Sequence, residues 1–280
     1  MIQKKIPLAK IVFRAMIVVI LLLLLVSFIY PLFWMIISAL KTNTEIFTTS
    51  YQLPKIPQWK NFVKVWNVGV KNYFLNSIIM TVASCLLTTS ISGFAAFALC
   101  RYRFRTRHAI LMFILGGLML APQVGLIPNY QIMQALHLYD TYIGMILLYT
   151  VFRIPFTTFF MWTYFSTLPL EVEEAACIDG CSNIRILFRI VFPMCKPMLW
   201  TSILLTARFV WNDFLFGVIF TKSDSLRTIP YGLYSLRSEV GVDWAVLMAG
   251  LTLTSIPLIG LFLFMQKQFV RGLTAGSVKG

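Results

Sequence analysis

Long uncharged runs of apolar residues dominate the pattern of hydrophobic and polar positions along the chain. A membrane-spanning helix needs about 20 predominantly apolar residues, and six segments fit: 15–38, 73–100, 109–136, 141–165, 198–221 and 244–266. Arg153 interrupts the fourth segment, and Arg208 and Asp213 interrupt the fifth. A charge inside a span costs about 2.5–3.5 kcal/mol on insertion scales, which neighbouring apolar residues offset if the charge faces protein or water. The pattern predicts an all-α integral membrane protein with six transmembrane helices.

The short loops between these segments predict how the chain is oriented. Lys and Arg accumulate in loops on the cytoplasmic side of a membrane, and four arginines separate the second and third segments: Arg101, Arg103, Arg105 and Arg107. Alternation then places both termini in the cytoplasm, residues 1–14 at one end and the tail 269–280 at the other. The six-span transmembrane domain 15–268 lies between them and includes a cytoplasmic loop, 168–197. The outer loop 41–71, with its five lysines, opposes this orientation but is long enough to count for less.

Composition excludes a single water-soluble globule. The chain is 59% apolar and 12% charged, whereas soluble domains are about one quarter charged. We interpret the net charge of +14 as a sign of membrane orientation rather than of nucleic-acid binding. The five cysteines cannot all pair within one chain, and no histidine lies near Cys177 and Cys181. We therefore expect neither a disulfide framework nor a metal site.

The loop 168–197 is polar enough to leave the bilayer, yet it is strongly patterned. Thr167 and Pro169 are typical of a helix start, and three glutamates occupy the first turns, where the helix dipole favours negative charge: Glu171, Glu173 and Glu174. Gly180 predicts that this helix ends near Asp179, and Ser182 or Asn183 can cap a second short helix over 184–192. So short a helix is marginal in water alone. It is either a solvated connector or a shape that fits a groove on a partner.

Several residues of this loop resemble the EAA loop of permease subunits of binding-protein-dependent ABC importers. They are Glu174, Ala175, Ala176, Gly180, Ile190 and Pro193, with Phe192 where the family usually has Leu. The longer stretch 173–193, with Ile178 and Asp179, is similar to the carbohydrate branch of that family, which includes the six-span maltose-transporter subunit. The resemblance covers nearly the whole chain and implies the type I ABC importer permease fold.

The resemblance also implies roles for these residues. In the family, the EAA segment is the coupling helix that docks in a cleft of an ATP-hydrolysing subunit. Glu174 would make polar contacts there, Ala175 and Ala176 would permit close approach, and Gly180 would set the angle. Asp179, Ile190 and Pro193 belong to the same coupling loop. The chain has no Gly-Lys pair and hence no phosphate-binding Gly-Lys-Ser/Thr motif. It is thus expected to be a permease and not an enzyme, with ATP and Mg²⁺ used by its partners and no cofactor or metal bound by this chain.

The partners implied are a second permease subunit in a heterodimer, two ATP-binding subunits and an extracellular or periplasmic solute-binding protein. The substrate would be a sugar or oligosaccharide. The chain would be a multi-pass protein of the bacterial cytoplasmic (inner) membrane, in contact with lipid and not with nucleic acid. The outer loop 222–243 would meet the solute-binding protein. The tail 269–280 would reach the ATPase subunits.

Candidate substrate-pathway residues combine aromatic faces with hydrogen-bonding groups: Tyr130, Gln131, Trp162, Tyr164, Trp211, Asn212 and Asp213. For each of them, a place in the core or in the aromatic belt at the membrane interface is the alternative. Two other functions stay open. The same architecture could import a non-sugar solute such as a phosphorylated polyol or a peptide. An ion-coupled secondary carrier could instead use Arg208 and Asp213 as a coupling pair.

Overall fold

The computed structural model describes residues 8–238 and 241–275, which are mainly helical. The helices are α1 Leu8–Ala39, α2 Asn43–Thr48, α3 Lys60–Val65, α4 Lys71–Arg101, α5 Arg107–Gly116, α6 Leu126–Ala135, α7 Tyr142–Phe165, α8 Glu171–Ile178, α9 Asn183–Ile186, α10 Phe192–Met194, α11 Lys196–Trp211, α12 Leu215–Phe220, α13 Ile229–Tyr234 and α14 Trp244–Ala275. Shorter helical turns are the 3₁₀ turns Gly117–Met119, Pro122–Gly125 and Asp224–Leu226 and the π-helical turns Trp66–Val70 and Leu187–Val191. Two short strands, β1 Arg237–Ser238 and β2 Gly241–Val242, pair antiparallel.

Long apolar helices confirm the predicted all-α membrane architecture. Four of them are long and apolar enough to cross a membrane: Val12–Ala39, Lys71–Arg101, Tyr142–Phe165 and Trp244–Gln268. Two bent pairs, Arg107–Met119 with Pro122–Ala135 and Asn183–Met194 with Lys196–Trp211, pass the same test when each pair is taken together. The described residues therefore hold four spans, or up to six if each bent pair is one span, by length and composition.

The predicted span 109–136 is not one straight helix. Its two halves, Arg107–Met119 and Pro122–Ala135, meet at an angle of 94°. The break lies at Ala121, whose backbone is extended (φ −64°, ψ 131°) immediately before Pro122. A residue that precedes proline is pushed out of the helical region, and proline itself cannot donate a helical hydrogen bond. The local sequence therefore ends one helix and starts another.

The predicted span 198–221 is also divided. α11 ends at Trp211, and α12 begins at Leu215. Between them, the Asp213 carboxylate accepts hydrogen bonds from the N–H groups of Phe216 (3.4 Å) and Gly217 (3.1 Å). A side chain that satisfies the first N–H groups of a helix favours a new start at that point. Asp213 thus marks a boundary between two helices rather than the middle of a span.

The chain divides into two compact units, the first formed by Met1–Val68 and Leu236–Thr254. Within it, the buried Lys41 donates from Nζ to the carbonyls of Thr49 and Ser50, both at 2.9 Å. Burial lowers the pKa of Lys41, and the nearby carboxylate of Glu45 opposes that shift. Lys64 forms an ion pair with Asp243 at 2.6 Å. The Lys64–Asp243 pair links the lysine-rich segment 41–68 to the residue that precedes α14.

The second unit is Gly69–Ser235 with Ser255–Gly280, and α4 packs along α7 and α11 within it. Small side chains on α4 are buried at this contact: Ser84, Thr88, Ser92, Gly93 and Ala96. A Cβ on Gly93 would lie 2.8 Å from Cζ of Phe192, so only glycine lets that ring approach α4. Close packing through small residues is typical of membrane helices. In this chain, the close packing places the 168–197 loop beside the end of α4.

Candidate functional site

The helix predicted in the 168–197 loop is present as α8, Glu171–Ile178. Its start differs from the prediction, because Leu170 is the N-cap and makes no side-chain capping hydrogen bond. Thr167 instead donates from Oγ1 to the Tyr164 carbonyl at 2.7 Å, and Pro169 precedes the helix. The three glutamates of the first turn favour the helix start through the helix dipole.

Gly180 ends α8 as predicted. Its φ is +76°, in the left-handed region that favours glycine. The N–H of Gly180 donates to the Cys177 carbonyl at 3.0 Å, and that of Cys181 donates to the Ala176 carbonyl at 3.0 Å. This pair of hydrogen bonds is the Schellman motif. Because a Cβ at Gly180 would meet nothing within 4 Å, the backbone conformation alone requires glycine here.

A buried ion pair attaches α8 to the end of α4. Arg101 Nε lies 2.9 Å from both carboxylate oxygens of Glu173, and Arg101 Nη2 lies 2.5 Å from Glu173 Oε1. Nη2 also donates to the Phe165 carbonyl at 3.1 Å. Both side chains are 11% exposed. Sequence reasoning missed this pair, since the two residues lie 72 positions apart.

Ala176 reinforces this attachment. It is 8% exposed and belongs to a hydrophobic cluster made of Ala96, Phe97, Met161, Phe165, Ile186, Leu187, Val191 and Cys195. Glu173 and Ala176 are three residues apart and therefore share one face of α8. Ala176 is thus packed inside this chain, whereas the resemblance implies that it faces a partner.

The rest of α8 lies at the surface. Glu174 and Ala175 are exposed, as are Asp179 and Gly180 at the turn. Ile178 is 87% exposed, and the apolar Leu170 and Val172 are exposed as well. Ile190 packs partly against the cluster around Ala176, and Pro193 is exposed in α10. The loop therefore presents an acidic and apolar surface on a helix whose opposite face is fixed to the bundle.

The candidate pathway residues do not form one group. Tyr130 and Gln131 lie in α6, where the Tyr130 ring contacts Tyr139 at a centroid distance of 5.1 Å. Trp211 is buried at the end of α11, with its ring 5.7 Å from that of Phe74. Trp162 and Tyr164 pack against the cluster around Ala176. Asn212 and Asp213 alone of these residues line the cavity described next.

A cavity of about 810 Å³ lies between α7 and the α11–α12 junction. It is lined by Arg153, Phe156, Leu205, Arg208, Phe209, Asn212, Asp213, Phe214 and Leu215. The Arg153 guanidinium carbon lies 4.8 Å from the ring centroid of Phe156 and 5.2 Å from that of Phe209. This volume falls within the range of small-molecule sites, about 300–1,000 Å³. Sequence reasoning noted Arg153 only as a charge within a span.

Asp213 hydrogen-bonds to Tyr149 and to the start of α12 rather than pairing with Arg208. Its Oδ2 accepts a hydrogen bond from the Tyr149 hydroxyl at 2.9 Å, besides those from the start of α12. In the part of the chain that the structure describes, Arg208 forms no ion pair with Asp213. The geometry therefore does not provide the coupling pair of an ion-driven carrier. Among the described residues, no three His, Cys, Asp or Glu side chains gather as metal ligands either.

Comparison with known proteins identifies the family. Residues 68–275 match the binding-protein-dependent transport system inner membrane component. The chain belongs to this family. It is a permease subunit of an ABC importer, and the family consists of transport components rather than enzymes.

Curated relatives agree with this assignment over nearly the full chain. The permease is 48% identical to the probable ABC transporter permease protein YurM of Bacillus subtilis, over 94% of this chain and 87% of that protein. It is 34% identical to the sulfoquinovosyl glycerol transport system permease protein SmoH of Agrobacterium fabrum, over 92% and 91%. It is 32% identical to the arabinooligosaccharides transport system permease protein AraQ of Bacillus subtilis, over 96% and 97%.

A solved structure shares the fold. A chain of a bacterial ABC transporter involved in the import of the acidic polysaccharide alginate superposes with a TM-score of 0.81 at 22% identity. The match covers 95% of this permease and 100% of that chain. The predicted ABC importer permease fold is confirmed. The cytoplasmic placement of the termini stays a prediction.

Proposed function

We propose that this permease imports a sugar or oligosaccharide, together with a second permease, and that α8 with the turn at Gly180 is where an ATP-binding subunit docks. The geometry of α8 carries the docking proposal. Its Glu173–Ala176 face is fixed to α4 and α7, while Glu174, Ala175 and Ile178 are exposed. A helix held on one side and free on the other can transmit the movement of a bound partner into the bundle.

The sugar substrate is supported by the relatives whose names specify a substrate, an arabinooligosaccharide in one and a sulfoquinovosyl glycerol in another. The remaining partners follow from the same proposal. A solute-binding protein would deliver the sugar to the outer loop 222–243, and two partner subunits would hydrolyse ATP with Mg²⁺. The membrane would be the bacterial cytoplasmic membrane, with the 168–197 loop inside the cell.

Charge reversal at the exposed glutamate tests the docking surface. Glu174→Lys should reduce uptake and loosen the ATP-binding subunit, because it reverses a charge at a contact surface. Glu171→Lys is the matched control: it makes the same change on the same helix, closer to the N-terminus, where the dipole interaction is stronger. Both complexes are purified, the retained ATP-binding subunit is quantified, and uptake is measured in cells.

The expected result is a large loss for Glu174→Lys and a small one for Glu171→Lys. Native transport by Glu174→Lys in an intact complex would refute the docking proposal. Equal losses in both variants would assign the effect to the helix terminus instead. The substrate is tested separately, by uptake of labelled maltose, an arabinooligosaccharide, glycerol phosphate and a tripeptide. Uptake of only the last two would refute the sugar assignment.

A further inference from the structure

Two arginines of the cavity lie within helices of the bundle, Arg153 in α7 and Arg208 in α11. Over the described residues, neither guanidinium forms an ion pair with a carboxylate of this chain. Ionisable groups at membrane depth are costly and normally pair with one another or mark a pathway. Two positive charges in the lining of one cavity therefore need an explanation outside this chain's own carboxylates.

Asp213, the carboxylate of the cavity lining, does not supply the missing charge. It accepts three hydrogen bonds, from the Tyr149 hydroxyl and from the N–H groups of Phe216 and Gly217. These bonds hold its carboxylate at the N-terminus of α12 and direct it towards Tyr149. The cavity lining holds two arginines and one aspartate, so its net charge is positive.

The Arg153 side chain is fixed before any ligand binds. Its guanidinium carbon lies 4.8 Å and 5.2 Å from the ring centroids of Phe156 and Phe209, within the range of cation–π contacts. Its Nε is buried and has no hydrogen-bond partner in the described part of the chain. A guanidinium held by aromatic rings is a preorganised donor for a planar or tetrahedral oxyanion.

The rest of the lining fits a carbohydrate. Phe156, Phe209 and Phe214 provide aromatic surface, and Asn212 provides amide hydrogen-bonding groups. Ligand sites are typically apolar cavities with a few placed polar groups, and a volume of about 810 Å³ holds a small sugar. The arginines distinguish this cavity from one that is suited to a neutral sugar, because they offer ion pairs in addition to hydrogen bonds.

We propose that the cavity receives an oxyanion group carried by the transported sugar, so that the importer's substrate is an acidic sugar. Arg208 and Arg153 bind the carboxylate, sulfonate or phosphate group, and the phenylalanine rings contact the sugar ring. This inference rests on the proposed sugar function and specifies its substrate class. It concerns passage through the permease and is independent of the docking of α8.

The test uses the complete importer with its own solute-binding protein in membrane vesicles. Labelled digalacturonate and maltose phosphate are the acidic probes, and labelled maltose is the neutral probe. We expect the wild type to prefer an acidic probe. Arg208→Gln and Arg153→Gln should each lower the ratio of acidic to neutral uptake at least tenfold at saturating binding protein. Arg208→Lys should lower it less, since lysine keeps the charge but loses the bidentate geometry.

Arg105→Gln is the control, because it removes one arginine charge outside the cavity lining. It should leave the ratio unchanged. A wild type that imports maltose and neither acidic probe would overturn the inference while the sugar function stands. A wild type that imports none of these sugars, nor the arabinooligosaccharide, but takes up glycerol phosphate or the tripeptide would overturn the sugar function itself.

Retention of the second permease in purified complexes distinguishes a ligand from a protein partner as the source of the missing negative charge. The second permease should remain in the purified Arg153→Gln and Arg208→Gln complexes. Its loss from them would mean that the arginines pair with that subunit, and the inference would be wrong. An unchanged uptake ratio in both glutamine variants would contradict it equally.

Discussion

Removal of the Glu173 carboxylate should detach α8 from the bundle. Glu173 and Arg101 are each 11% exposed and share three short contacts, at 2.9, 2.9 and 2.5 Å. Removing one partner of a buried pair costs about 3–5 kcal/mol, because the other charge is left uncompensated. Arg101 would keep its hydrogen bond to the Phe165 carbonyl. We therefore expect Glu173→Ala to cost about 3 kcal/mol, the lower end of that range.

Hydrogen exchange of the purified complex measures this cost. A change of about 1.4 kcal/mol is a factor of ten in an equilibrium constant, so the amides of Glu171–Ile178 should exchange about a hundredfold faster in Glu173→Ala. The control is Glu171→Ala, which removes an exposed glutamate from the same helix. The double variant Arg101→Met with Glu173→Met should recover most of the protection, because replacing both ions by apolar side chains is often neutral.

The same variants separate attachment from docking. If the buried pair transmits movement, Glu173→Ala retains the ATP-binding subunit but hydrolyses more ATP for each sugar imported. Exchange of α8 within threefold of wild type in Glu173→Ala would refute the reasoning about the pair. Slow exchange combined with native uptake would show that the attachment of α8 does not depend on this ion pair.

Three further changes have defined outcomes. Gly180→Ala should destabilise the turn after α8 by about 1–2 kcal/mol, because an L-residue in the left-handed conformation costs that much. Faster proteolysis of the 168–197 loop would measure this loss, and Gly180→Asn should cost less. Burial raises the pKa of Asp140, but hydrogen bonds from Ser223 and the Lys222 N–H outweigh it and lower that pKa below 3.8. The stabilisation that ionised Asp140 gives to the folded state is therefore complete above about pH 4 and is lost as the pH falls through the pKa of the folded protein. Protease cleavage of the outer loop 222–243 should increase in that pH range in the wild type. In Asp140→Ala it should already be increased at neutral pH. Deletion of the tail 272–280, of which 276–280 lie outside the described residues, should lower retention of the ATP-binding subunit in a pull-down without changing membrane insertion.

The sequence predicted the features that depend on local physics. Hydropathy located four long helices because a span requires a continuous apolar run. The end of α8 was predictable because Gly180 tolerates a left-handed conformation. The two divided spans also had a local signal, in Pro122 for one and Asp213 for the other. Each signal was interpreted as a feature inside one continuous span, because apolar residues continue on either side of both breaks.

Contacts between distant segments could not be predicted in this way. The acidic residues of α8 look alike in sequence, yet Glu173 is buried against Arg101 while Glu174 is exposed. That difference depends on how α8 is rotated against α4, which the sequence does not reveal. Likewise, the Arg153–Phe209 contact depends on the packing of α7 against α11. Pattern alone therefore predicted the 168–197 loop but not the ion pair that holds it. It also predicted the charges within the spans but not the cavity that they line.

α7 connects the two candidate sites. Its last residue, Phe165, packs in the same cluster as Ala176 of α8 and accepts a hydrogen bond from Arg101. Arg153, in the cavity lining, lies about three turns earlier on the same helix. Pro155 lies between them and removes one helical hydrogen bond, which allows the two halves of α7 to bend relative to each other. A displacement of α8 should therefore reach the cavity through a helix that is fixed at its end and able to bend near Arg153. Such a connection would link docking at the loop to the position of the guanidinium that we propose binds the substrate.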